Sequence, residues 1–179
     1  MIIKKQILLA LLSILILSSY KNEVSNKEKT LAQVINSYRI KKGLYEIPIS
    51  PALTKVAEAH VRDLDSNQPH GGKCNLHSWS KKGKWSACCY TSNHAKASCM
   101  WDKPRELTNY KGDGYEISAW MSNGITAEQA LEMWIHSQGH HHVMVNKGIW
   151  KKVKWNAMGA AIYNGYAVVW FGKELDTSN

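Results

Sequence analysis

Apolar residues recur with helical spacing in three stretches of the chain. From about Ser25 to Lys42, Leu31, Val34, Ile35 and Tyr38 fall at i, i+3, i+4 and i+7, the spacing of one helix face. Ser25 and Glu28 are spaced as a capping box, and Gly43 stands where a helix would end. The second stretch opens on Ser50-Pro51, a good cap and first-turn pair, and carries Leu53, Val56, Ala57, His60, Val61 and Leu64 on one stripe to about Asp65. In the third, Thr126 and Gln129 form a capping box ahead of Leu131, Trp134 and Ile135, and Gly139 is expected to interrupt the helix. The pattern then changes period. Trp155 to Tyr163 and Tyr166 to Lys173 flank Asn164-Gly165, the pair most at ease in a tight type I′ turn, which predicts a β-hairpin. Val168 to Phe171 is an unbroken apolar run, as expected of a strand packed on both faces.

Between Asp65 and Thr126 periodicity is weak, and the segment is rich in Gly, Trp, Lys and all of the Cys. A stretch of that length inside a compact domain needs cross-links or a function to account for it. Short helices or strands are expected within it, with no limits assigned. The first twenty residues place Lys4 and Lys5 before an apolar run from Ile7 to Leu17 and then Ser18 and Ser19, the layout of a secretory leader, too short to cross a bilayer. Tyr20 stands where a lipoprotein would need Cys. The expected organisation is a leader at 1–20 and one domain at 21–179, with a Cys-rich segment at 66–100.

Composition sharpens this picture. A chain of 179 residues with eight Trp and 44% hydrophobic residues has the material for one packed core, and no repeat period points to a solenoid. The formal net charge is +9. Its lysines are spread along the chain, with local clusters only at Lys81, Lys82, Lys84 and at Lys151, Lys152, Lys154. A solvated basic face explains them most simply, anionic envelope polymers are a second partner class, and an exported chain excludes nucleic acid. Export also makes Cys74, Cys88, Cys89 and Cys99 disulfides before anything else. Pairing the neighbours Cys88 and Cys89 fits bridge geometry poorly, which leaves 74–88 with 89–99, or 74–89 with 88–99. A structural zinc site using Cys74, His77 and His94 is the competing reading.

No nucleophile elbow, phosphate loop, dinucleotide fingerprint or H-E-x-x-H is present. Histidine is what remains. His136, His140, His141 and His142 follow the third helix, His77 lies in the Cys-rich segment, and Glu116 sits between them in sequence. Two imidazoles from distant segments beside a carboxylate suit a divalent metal such as zinc with an open position. His60, on an apolar stripe, is expected to be a satisfied, half-buried side chain. Gly139 should separate His136 from His140, and His141 and His142 should be exposed. Trp79, Trp85 and Trp101 are expected to pack against the disulfides.

These residues resemble the CAP superfamily of cysteine-rich secretory, antigen 5 and pathogenesis-related proteins, in its small bacterial form. Asn36-x-x-Arg39-x-x-x-Gly43 and Leu53-x-x-x-Ala57-x-x-His60 match its opening helices, His77-Ser78 its first histidine motif, and Tyr115-Glu116-Ile117 stands where it has Gly-Glu-Asn. Trp134-x-x-Ser137-x-Gly139-His140 matches its Trp-x-x-Ser-Pro-Gly-His motif, and Gly159 to Gly172 its closing strands. The likeness spans about Lys27 to Lys173. It implies an α+β fold, an α-β-α sandwich with a small antiparallel sheet between helical layers. It also implies a cleft where His77 and His140 face one another and hold a metal, often zinc, beside Glu116, with Ser78, Tyr115 and Ser137 in support. The sequence departs from the pattern at Ser137, where many relatives carry a second Glu, at Gln138 for the usual Pro, and at Tyr115 and Ile117, which should add bulk at the cleft. Three functions follow as expectations. The first is a secreted module whose cleft takes a metal, a small ligand, a lipid or a partner. The second is a metal-assisted hydrolase of peptide or cell-envelope substrates in which Glu116 relays the proton. The third is a cationic envelope-binding protein.

Overall fold

The structure is a computed structural model that describes residues 26–177. The expected leader and the Ser25 capping box lie outside the described residues. Helix α1 (Asn26–Lys41) buries Leu31, Ala32 and Ile35, and Gly43 follows it at φ +75°, a conformation glycine adopts without strain. Helix α2 (Pro51–Asn67) begins as its sequence dictates: Ser50 Oγ accepts the Leu53 N–H at 3.0 Å. Every residue of its predicted stripe is buried, His60 included. Asp63 is buried too, because its carboxylate accepts both the backbone N–H and the hydroxyl of Ser80 and so ties the Cys-rich segment to α2. Among the described residues no helix is long and apolar enough to cross a membrane.

Short helices α3 (Ser98–Trp101) and α4 (Lys103–Leu107) precede strand β1 (Gly114–Trp120). Helix α5 (Ala127–His136) carries the predicted capping box, with Thr126 and Gln129 each bonding the other's backbone N–H. The break after it falls at Ser137, in extended conformation, and not at Gly139, which lies inside the next helix, α6 (Gln138–Met144). The Ser137 side chain makes no capping bond, but its carbonyl accepts the His141 N–H at 2.8 Å and begins the ladder of α6. Strands β2 (Ala157–Tyr163) and β3 (Tyr166–Gly172) form the hairpin, with Asn164 at φ +42° and Gly165 at φ +85° in the turn. Trp155 stays outside β2, since its indole N–H is drawn to the Val143 carbonyl at 3.0 Å.

The sheet is antiparallel in the order β1-β3-β2. Its central strand therefore has helical layers on both faces, and Val168 to Phe171 is buried throughout. Alternation sends Ile117, Ala160, Val169 and Phe171 toward α1, α5 and α6, and Ala161, Val168 and Trp170 toward α2. The fold is thus the α-β-α sandwich. At Gly159 a Cβ would lie 2.1 Å from the Leu53 carbonyl carbon, so β2 and α2 meet backbone to backbone and only glycine fits.

The disulfides are Cys74–Cys89 and Cys88–Cys99, one of the two maps left open by the sequence, and no described cysteine is free to hold zinc. Trp79 lies between the bridged segment and the sheet, in edge contact with Trp85 and Trp170.

Candidate functional site

The site forms at an edge of the sheet. Glu116 is on β1, an outer strand, and its place in the alternation points it toward α2. His60 comes from α2, His77 from the bridged segment, and His140 from α6 on the other layer. These elements reach a common point because β1 is where the two helical layers approach around the sheet margin.

Both oxygens of Glu116 are taken. Oε1 is 2.8 Å from His60 Nδ1 and Oε2 is 3.2 Å from His77 Nδ1, with no exposed area left on the Glu116 side chain. The His60 approach is close but off the line of a good hydrogen bond. The other nitrogen of His60, Nε2, donates to the Ser78 carbonyl at 3.0 Å. Each nitrogen of the ring thus faces an acceptor, a carboxylate on one side and a carbonyl on the other. Its ring stacks on Trp79, centroids 4.2 Å apart and planes 7° from parallel. For His77, an ionised carboxylate can only accept, so Nδ1 is the donating nitrogen and Nε2 is left outside that contact. Ser118 Oγ lies 3.4 Å from the same Nδ1. The rings of His77 and His140 are 5.6 Å apart at 75°. No described residue hydrogen-bonds the His140 ring.

Electrostatics follow from this packing. Burial alone would raise the Glu116 pKa, but His60, and after it His77, overcome that and bring it from 4.5 down to about 2. His140 is lowered from 6.5 to about 4, first by burial and then by His77, with Glu116 opposing. Both shifts have the same consequence for stability. The unfolded His140 takes up a proton below about 6.5 and the folded one resists to about 4, so its contribution is complete above 6.5 and is lost as pH falls toward 4. The Glu116 contribution is complete above 4.5 and is lost toward pH 2. A series of urea midpoints should therefore fall in two stages on acidification, and His140→Gln should flatten the upper stage alone. A midpoint that rises on acidification would contradict both assignments.

Of the residues expected here, His77, Glu116 and His140 converge. Ser78 is buried and acts from behind, its carbonyl on His60 and its hydroxyl accepting the Tyr90 N–H at 2.9 Å. Tyr115 and Ile117 add no bulk to the cleft: alternation turns them to the opposite face, where Tyr115 packs on Trp150 and Trp155. Ser137 joins α5 to α6. His136 is exposed and paired with Glu132 at 2.8 Å. His141 and His142 are half-buried, not exposed, and His141 Nε2 meets Tyr38 Oη at 3.0 Å. His60, expected to be half-buried and inert, is fully buried at the centre of the site. Ser118 was also missed; its carbonyl accepts the Trp134 indole N–H at 3.0 Å and fixes α5 to β1. Two surface hollows, of about 500 Å³ by Lys55 and Glu106 and about 480 Å³ by Asn36 and Glu46, include none of these residues.

Comparison with known proteins gives an independent view. Among solved structures, an extracellular protein containing an SCP domain from Bacillus anthracis str. Ames is similar at TM-score 0.58 and 16% identity, over 83% of this chain and 40% of that one. A cysteine-rich secretory protein from Staphylococcus aureus subsp. aureus Mu50 is similar at TM-score 0.53 and 18% identity, over 83% of this chain and 38% of that one. The chain thus spans about two fifths of the length of those bacterial proteins. No curated protein sequence matches it. A family model described as the cysteine-rich secretory protein family, CAP, matches residues 32–151, and with the sandwich in place the chain belongs to that family.

Proposed function

We propose that this is an exported CAP module that uses His77 and His140 to take a divalent metal of the zinc type, and with it a ligand. The carrying observation is a pair of imidazoles 5.6 Å apart, one with its Nδ1 engaged by a buried carboxylate and the other without a described partner. A histidine backed by a carboxylate is the usual second layer of a metal site, since the carboxylate fixes the ring and raises its basicity. The donor set is small. Among the described residues no group of three or more His, Cys, Asp or Glu is arranged to hold a metal ion, so the fit is to a weak, exchangeable ion completed by water or ligand rather than to a structural zinc. When bound, zinc would supply Lewis acidity. The chain's own part is to hold His77 through Glu116 and His60, and to keep His140 neutral and open to coordinate.

Hydrolysis is the weaker reading. A proton relay must reach its substrate, whereas Glu116 has no exposed surface and a pKa near 2, far from the operating range of a general base. Glu116 is better suited to positioning.

Calorimetric titration with zinc tests the proposal. Wild type should bind one ion, and His77→Ala or His140→Ala should weaken binding at least about tenfold, in line with losing one of two ligands. Equal uptake by all three proteins would remove the site. Hydrolysis of casein or peptidoglycan that disappears in Glu116→Gln would overturn the binding role in favour of an enzyme.

A further inference from the structure

We propose that the loop from Asn146 to Lys154, an outward isoleucine set among lysines, docks this protein on bilayers that contain anionic phospholipid. Ile149 is 88% exposed, more than any other exposed large hydrophobic residue described. A lone exposed apolar residue is ordinary in itself. This one is held out by a constructed loop. Asn146, at φ +52°, accepts from Arg39 Nη1 at 2.8 Å and donates through Nδ2 to the Val153 carbonyl at 2.9 Å, closing the loop at its base. Arg39 is fully buried and also donates to the Met144 carbonyl at 2.6 Å. Gly148, at φ +57°, lies so near His142 that a Cβ would come 2.9 Å from Nδ1. A 3-10 turn, Gly148–Trp150, then presents Ile149 while Trp150 turns inward onto Tyr115 and Trp155. Buried polar groups and two left-handed residues thus hold an apolar tip out to solvent.

The charge around the tip has one sign. Lys147, Lys151, Lys152 and Lys154 are exposed, and none pairs with a carboxylate of the described residues. From Met133 to Lys173 the chain carries no Asp or Glu. Lys42, at the end of α1, joins this face: it lies over the Tyr38 ring, and Tyr38 bonds His141.

A soluble polyanion would satisfy these lysines but offer nothing to Ile149. A phospholipid surface satisfies both, phosphate for the ammonium groups and the acyl boundary for the side chain. The second lysine cluster, Lys81, Lys82 and Lys84, has no such tip and lies on the α2 side of the sheet, beside the Ser80–Asp63 contact. It provides a charge-matched control.

Cosedimentation of the full chain with phosphatidylcholine vesicles, with and without about one third phosphatidylglycerol, tests the proposal. Preference for the anionic vesicles is expected. Lys147→Ser/Lys151→Ser/Lys152→Ser should reduce binding to them more than about tenfold, and Ile149→Ser roughly tenfold, while Lys81→Ser/Lys82→Ser/Lys84→Ser should change it less than about twofold. Equal loss from the two triple variants would reduce the effect to net charge and overturn the loop. Loss with the loop lysines but not with Ile149→Ser would reduce the contact to headgroup charge and overturn the apolar tip. No preference between the vesicles would overturn both.

Discussion

His60→Ala should cost this domain about 3–5 kcal/mol of folding free energy, the loss expected when one partner of a buried ion pair is removed and the other charge stays behind. The charge left behind is Glu116, with no exposed area and only His77, at 3.2 Å, to balance it. Three further losses accompany it: the stacking on Trp79, the bond to the Ser78 carbonyl, and the volume of a ring in the core. For a domain of this size the melting temperature should fall by roughly 10 °C. The double variant His60→Leu/Glu116→Leu separates pairing from packing. Removing both charges together should recover a large part of the loss, because two apolar side chains need no solvation that the core lacks. A His60→Ala variant that melts within about 1 °C of wild type would mean that the pair is not a buried ion pair.

The second large effect concerns the bridges. Cys74–Cys89 and Cys88–Cys99 close loops of 15 and 11 residues, each worth about 3 kcal/mol through the entropy they remove from the unfolded chain. Replacing both pairs by Ala should therefore lower stability by roughly 5 kcal/mol, read as a shift in urea midpoint. The two bridges should differ in their effect on the site. His77 lies within the Cys74–Cys89 loop, so opening that bridge frees the imidazole to move away from Glu116 and should weaken zinc uptake. The segment closed by Cys88–Cys99 keeps separate anchors, among them Tyr90, whose N–H donates to Ser78 Oγ at 2.9 Å and whose carbonyl accepts the Asn75 N–H at 2.9 Å. Opening Cys88–Cys99 alone should leave zinc affinity nearly unchanged. Matching losses of affinity in the two variants would contradict this division.

Elements with a repeating pattern were the legible part of the fold. The stripe of α2, the capping box of α5 and the Asn164-Gly165 turn each repeat or punctuate locally, so a few neighbouring residues decide them. Strand β1 was not legible, because as an edge strand between two helical layers it mixes Glu116 and Ser118 with Tyr115 and Ile117 and lacks a continuous apolar run. The kink between α5 and α6 falls two residues before Gly139, the stronger breaker by propensity, because Ser137 takes the extended conformation at the junction and glycine is accommodated within α6. In the site, His77, Glu116 and His140 came from the resemblance to the CAP pattern, whereas spacing alone only hinted at them. His60 was the costly omission. Its place on an apolar stripe said that it would be buried; a buried histidine needs two polar partners, and that requirement pointed to a carboxylate across the core.

The central claim is that His77 and His140 share one ion in front of the Glu116 and His60 support. Anomalous scattering at the zinc edge, from crystals of the protein equilibrated with zinc, tests it most directly. A single strong peak should lie about 2.0–2.1 Å from a ring nitrogen of both histidines. A peak bound elsewhere, for instance by the exposed His136–Glu132 pair, with none between His77 and His140, would contradict it.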